Sequence, residues 1–233
     1  MAAHEGNGRE DAGAQDDAVR EVAHAQSEQE AEREASAGDA HCARRRVERK
    51  VEAFKRRCGE VVPSSMEIDL RDAVTRGHLH DVRRLLAQGV DLDNCHLHGT
   101  PIVTLAVSTK KATPAVVALL LEHGADVNAV NVYGMTALHS VAIKNHSPAC
   151  VRLLLEAGAG VDDRDLEGRA PLHWAAWSNE EEVVRALLAA GADTDLRCWG
   201  GQWAGKTPLD LTTADAVLEM LRAATTAGDH AAT

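Results

Sequence analysis

Aromatic side chains are scarce in this 233-residue chain, where Phe, Trp and Tyr together make up 3% of the residues. A single conventional core takes much of its buried area from such rings. Their scarcity disfavours a globule built around one centre. Cysteine is also sparse and odd in number: Cys42, Cys58, Cys95, Cys150 and Cys198 show neither a disulfide-framework spacing nor a metal-site spacing. No stretch is apolar enough to span a bilayer, and the first residues lack an apolar leader. Positive charge is deficient, with a formal net charge of −11. That argues against nucleic acid as the main partner, because phosphate binding depends on Lys and Arg. These absences predict an intracellular, cytoplasmic protein with no membrane insertion and a reducing environment; a nuclear option rests on the basic residues 41–60 alone.

The hydrophobic share, 45%, is supplied by Ala, Leu and Val, which suit helices packed close together. Charge is uneven along the chain. Residues 1–40 carry 11 acidic and 3 basic side chains, whereas residues 41–60 carry 3 acidic and 8 basic ones. The first segment has too few large apolar residues to offset its conformational entropy and is predicted to be a disordered acidic tail. In the second, Val47, Val51, Phe54 and Cys58 recur at intervals of four, three and four, which predicts a basic amphipathic helix over 41–62. Pro63, Ser64 and Ser65 then interrupt the pattern.

From about residue 66 one unit recurs. Gly89, Gly124, Gly158 and Gly191 each follow a Leu-Leu pair, at separations of 35, 34 and 33 residues. A second glycine follows in each unit: Gly99, Gly134, Gly168 and Gly205. Just beyond it stand Thr100-Pro101-Ile102, Thr136-Ala137-Leu138-His139, Ala170-Pro171-Leu172-His173 and Thr207-Pro208-Leu209-Asp210. Thr or Ala before Pro opens a helix, since Pro is pre-set for the first turn and its missing donor is not needed there. Gly77, Asn145 and Asn179 close first helices, and Thr113-Pro114 and Ser147-Pro148 open second ones. The Leu-Leu pair lies on the second helix, and the polar stretch between the two glycines forms a projecting turn.

This period and its Thr-Pro-Leu-His signature resemble the ankyrin-repeat family. The resemblance covers about residues 66–224, in units 66–99, 100–134, 135–168, 169–205 and 206–224. It implies an all-α solenoid of helix-turn-helix units with hairpin-like turns, stable only through stacking. The first unit has Arg71 and Asp72 at motif positions and the last has a second helix shortened to 214–223, as polar-faced terminal units should. Residues 225–233 are then expected to be a disordered tail. The resemblance also implies that His139 and His173 are structural, bonding the turn backbone.

Chemistry is otherwise thinly represented. Cys95, His96 and His98 could ligate a metal, but nothing nearby in sequence completes a set of four. No nucleophile–base arrangement, phosphate loop or carboxylate pair stands out. Asp162-Asp163 and Glu180-Glu181-Glu182 read as solvated charge at a turn and at a helix start. The expectation is therefore no catalysis, no cofactor and no small-molecule substrate.

The partner implied by the family is another protein, bound by a monomer on the concave groove and the turn tips, in the role of adaptor, scaffold or regulatory subunit. An alternative is a targeting or substrate-recognition subunit for a partner enzyme, for example of the ubiquitin system. Nucleic-acid binding through the basic helix ranks last. Residues 41–60 have three readings: a cap laying Val47, Val51 and Phe54 on the first repeat, a two-part nuclear import signal at Arg44-Arg45-Arg46 and Lys55-Arg56-Arg57, or a helix docking calmodulin or an acidic surface. The cap leads.

Binding should concentrate where the aromatics do. All four Trp lie within residues 169–205. Trp174 sits at a position that is core in the family, whereas Trp177 falls on the row that lines the groove. The turn holding Cys198-Trp199-Gly200-Gly201-Gln202-Trp203 is four residues longer than its counterparts. Trp199 and Trp203 are therefore predicted to be exposed anchors with Trp177 and Tyr133, since Trp and Tyr dominate interface energy. The opposing possibility is that the loop folds back and buries them. Leu97, His98, Val132, Ile143, Lys144, Arg164, Leu166, Glu167 and Arg197 would set specificity from the rim.

Overall fold

The structure is a computed structural model and describes residues 40–56, 64–93, 95–97, 99–109, 113–143 and 148–231. The predicted acidic tail, His98, Lys144, Asn145 and Ser147 lie outside the described residues, apart from residue 40. The chain divides into Met1–Ala43 and Arg44–Thr233, and the repeats lie wholly in the second unit.

Helix α1 occupies residues 44–56 within this unit. Helix pairs follow: α2 (Ser65–Arg76) with α3 (Leu79–Leu86), α4 (Ile102–Ser108) with α5 (Pro114–Glu122), α6 (Ala137–Ile143) with α7 (Pro148–Glu156), and α8 (Pro171–Ser178) with α9 (Glu181–Ala189). The last unit departs from this plan. Its first helix shrinks to a single 3₁₀ turn, Pro208–Asp210, and its second, α10, runs from Asp215 to Ala231.

Local chemistry sets these boundaries. Ser64 caps α2 reciprocally: its hydroxyl accepts from Glu67 N at 3.3 Å, and Glu67 Oε2 accepts from Ser64 N at 2.6 Å. Pro114 and Pro171 occupy the first turns of α5 and α8. The glycines closing the second helices, Gly89, Gly124, Gly158 and Gly191, have φ between +77° and +87°, a left-handed conformation that a Cβ would resist. Asn179 closes α8 the same way, at φ 57°. Its Oδ1 accepts from Thr212 Oγ1 at 2.7 Å and from the N–H groups of Thr213 and Ala214 at 3.1 Å. One side chain thus ends α8 and satisfies donors just before α10.

The paired helices stack in two rows. α2, α4, α6 and α8 pack in sequence, and α3, α5, α7, α9 and α10 form the second row. Between them runs one continuous core from Leu70 to Leu221, in which Leu70, Leu120, Leu138, Leu154, Leu172, Leu187 and Leu221 are fully buried. Each contributes about 1.5–3 kcal/mol, but only because its neighbours cover it. The all-α solenoid expectation is met. Between α3 and α4 the projecting turn closes into a hairpin of two-residue strands, β1 (His96–Leu97) against β2 (Thr100–Pro101), with Leu97 opposite Thr100.

The expected C-terminal tail is corrected. The helix does not stop at Ala223 but continues to Ala231. Nothing in Ala223-Ala224-Thr225-Thr226 breaks a helix. Thr225 Oγ1 lies 3.0 Å from Leu221 O and 3.2 Å from Thr194 Oγ1, tying the extension to the preceding turn.

Candidate interaction surfaces

The turn after α7 is organised by Asp165, whose side chain is fully buried. Its Oδ1 accepts from Glu167 N at 2.9 Å and Arg169 N at 3.0 Å, and its Oδ2 accepts from Arg169 Nε at 2.6 Å. Asn131 does the equivalent work one unit earlier, accepting from Tyr133 N and Met135 N. Exchanging the amide for a carboxylate calls for a cation, and Arg169 supplies it, also pairing with Glu167 at 2.8 Å.

That guanidinium is the base of an aromatic cluster. It lies over Trp174 at 4.4 Å and over Trp203 at 5.5 Å. Trp174 meets Trp177 edge-on at 5.9 Å and Trp203 at 4.9 Å, while Trp177 and Trp203 are 5.6 Å apart and tilted. Of these rings Trp177 is 48% exposed and Trp203 only 7%. The expectation that Trp203 is an exposed anchor is therefore corrected: the long turn folds back and buries it.

The folding-back is backbone-driven. Trp199 N and Gly200 N both donate to Glu167 O, and Trp199 Nε1 donates to Leu166 O at 2.9 Å. Cys198 and Lys206 are paired across the loop, and Gly201–Trp203 forms a 3₁₀ turn. Trp199 is half-buried, with Arg164 over its ring at 5.1 Å. A Cβ at Gly168 would come within 2.5 Å of this ring, so only glycine admits it. Trp199 thus braces its own turn against the preceding one instead of projecting into water.

The other predicted residues separate into two groups. Tyr133, 65% exposed, and Arg197 remain on the surface, and Ile143 is half-buried beside Ser178, whose hydroxyl bonds its carbonyl at 3.1 Å. Leu97, Val132, Arg164, Leu166 and Glu167 are half-buried with intramolecular neighbours. Leu97 packs on the main core, and Glu167 is engaged with Arg169.

Leu166 lies beneath α1, and here only Phe54 keeps to the capping expectation. α1 crosses the projecting turns: Phe54 meets the first repeat at His96 and Leu92, whereas Val47 and Val51 lie on the turns of the next two units. Val47 and Val51 join Val130 and Leu166 in a small cluster of their own. Val47 sits so close over Gly134 that an added Cβ there would lie 2.7 Å from its Cγ1. Lys50 Nζ reaches Asp163 Oδ2 at 3.5 Å. Phe54, 3% exposed, stands edge-on to His96 at 5.8 Å and lines a cleft with Leu92, Pro101, Ile102 and Val103. These three apolar side chains give α1 about 1.5–3 kcal/mol each at most.

The remaining chemistry is subdued. Burial pushes the Cys95 and Cys198 thiols up to about 12 and raises Cys150 also, which keeps them protonated. Among the described residues no three His, Cys, Asp or Glu side chains gather as a metal would require, and no helix is long and apolar enough to cross a membrane. His139 is fully buried: its Nδ1 lies 3.1 Å from Thr136 N and 2.9 Å from Thr136 Oγ1, and its Nε2 lies 2.9 Å from Arg169 O. His173 accepts from Ala170 N at 3.1 Å, but its Nε2 has no well-formed partner. Burial dominates and holds its pKa down at about 4, although the carbonyls of Lys206 and Leu196 lie near enough to favour protonation.

Sequence comparison agrees with the geometry. The family described as ankyrin repeats (three copies) matches residues 70–165 and, overlapping them, 104–198. No curated protein matches the chain. Repeats of this kind generally mediate protein–protein interaction. On its stacked helix pairs and a family match spanning more than half its length, the chain belongs to the ankyrin-repeat family.

Proposed function

We propose that this chain is a non-catalytic interaction module, an adaptor or regulatory subunit, that holds a partner protein on the groove side of its first-helix row with Trp177 as anchor. The observation carrying this reading is the state of Trp177: a large ring, 48% exposed, held from beneath by Trp174 and Trp203. A rigid, half-open indole loses little freedom on binding, and such residues dominate interface energies. Ile143 and, at the turn tips, Tyr133 and Arg197 extend the contact.

The test is affinity capture followed by quantitative mass spectrometry, comparing the wild-type chain with Trp177→Ala. The expected result is a partner lost by at least tenfold from Trp177→Ala while thermal unfolding shifts by only a few degrees. A capture profile identical for both proteins would refute the assignment of Trp177 as anchor.

A further inference from the structure

The helix that crosses the turns is attached unlike the rest of the protein. The array shares one continuous core, but Val47 and Val51 belong to a separate cluster with Val130 and Leu166. The ion pair from Lys50 to Asp163 is long and partly solvated. α1 meets the main core at one residue, Phe54, beside Ile102 and Val103, and its two valines lie outside that core. Its departure would bare Val130 and Leu166 on turn tips that otherwise face water, a kind of patch that soluble proteins keep covered. The helix is amphipathic in a simple way: Val47, Val51 and Phe54 at i, i+4 and i+7 face the turns. Arg44, Arg45, Arg46, Arg49, Lys55 and Arg56 line its other side, against only Glu48 and Glu52 of opposite sign. The turns beneath contribute Asp93, Asp126 and Asp163, so the fit is one of charge as well as shape.

We propose that the turn face is a helix-binding surface, that residues 44–56 are its ligand in cis, and that a basic amphipathic helix of a partner protein, apolar at i, i+4 and i+7, takes the same place in trans. This mode is helix-in-groove recognition, with the apolar stripe for affinity and flanking charge for orientation. Belonging to the same chain holds the cis helix at a local concentration on the order of millimolar. A free helix at micromolar concentration therefore competes only when the cis copy is weakened or the partner binds better. Trp177 is not part of the cluster under α1, so Trp177→Ala and Val51→Asp test the two readings separately.

The probes are fluorescent peptides titrated into the full chain by anisotropy: residues 41–60, and an alanine-based helix carrying only the apolar i, i+4, i+7 residues and the basic flanks. The chain with Val51→Asp is expected to bind both at least tenfold tighter than the wild type. Adding Val130→Asp should abolish the gain, and moving the apolar residues out of register in the peptide should do the same. Circular dichroism should show the Val51→Asp array melting within a few degrees of the wild type. Equal binding by wild type and Val51→Asp overturns the proposal, as does binding that ignores register and vanishes with salt. A Val51→Asp array that melts with its helix also overturns it, because α1 would then be a structural part. Sedimentation showing that the wild-type chain exchanges this helix between two copies would replace the partner helix by a second copy and refute the trans assignment.

Discussion

Replacing Trp203 by Ala distinguishes a long turn that buries its ring from one that presents it. Trp203 is 7% exposed, touches Trp174 at 4.9 Å and Trp177 at 5.6 Å, and takes the Arg169 guanidinium at 5.5 Å. Truncating a buried Trp costs about 3–5 kcal/mol. Arg169 keeps its bonds to Asp165 and Glu167, so no buried charge is orphaned, and the lower part of that range applies, about 3–4 kcal/mol. In an array coupled only through neighbours the loss falls on the last unit. Hydrogen exchange in urea is the assay. Amides of residues 198–226 should lose roughly two to three orders of magnitude of protection, following about 1.4 kcal/mol per factor of ten, while α4 and α6 keep theirs. Trp199→Ala, removing a half-buried ring and the bond to Leu166 O, should cost less, about 1–2 kcal/mol. If Trp203→Ala changes the protection of its own unit by less than a factor of ten, the ring is not packed as described and the reasoning fails.

Three other perturbations have defined outcomes. Thr104 is buried with a hydroxyl that has no hydrogen-bond partner among the described residues, so Thr104→Val should stabilise the array by about 1 kcal/mol in urea unfolding; a loss would show that the hydroxyl is satisfied. His139 and His173 are both held below their ordinary pKa by burial, His173 at about 4. The unfolded chain therefore takes up protons first as pH falls through 6.5, and stability declines from there toward pH 4, by about 3 kcal/mol for His173. Urea midpoints measured between pH 7.5 and 4.5 should show this slope, and His173→Leu should flatten it. Asn179→Gly keeps the left-handed backbone but loses the bonds to Thr212, Thr213 and Ala214. It should cost about 1–2 kcal/mol, and Asn179→Ala about 1–2 kcal/mol more, read from chemical unfolding.

How much of this fold is legible in the sequence depends on how local each signal is. The repeat glycines, the Thr-Pro openings and the Leu-Leu pairs each act within one or two turns of chain, so their spacing is enough to lay out α4 to α9. The last unit is less legible. Thr207-Pro208-Leu209-Asp210 carries the same signature as its counterparts yet closes only a 3₁₀ turn, and the residues that follow, Thr212 to Ala214, are bonded to Asn179 instead of continuing a helix. The burial of Trp203 depends on a cation in another turn. A signal for it exists in Asp165 and Arg169, an acid and a base four residues apart where the preceding unit has Asn131 and Met135. A buried carboxylate needs its Arg, and an Arg beside Trp174 offers a face for a second ring.

The placement of α1 shows what such signals can and cannot specify. Val132 and Leu166 are apolar side chains on turns that should face water, and in the sequence alone that marks them as partner contacts. The physics holds that far, since an apolar turn tip must be covered. Coverage has the same sequence signature whether the covering helix belongs to the same chain or to another, because hydrophobic burial is non-directional and indifferent to connectivity. Connectivity enters through concentration alone. A tethered helix wins by local abundance and a free one only by better contacts. The separate cluster of Val47, Val51, Val130 and Leu166 therefore identifies the chemistry this face selects, while the strength of its hold on α1 decides which helix is found there.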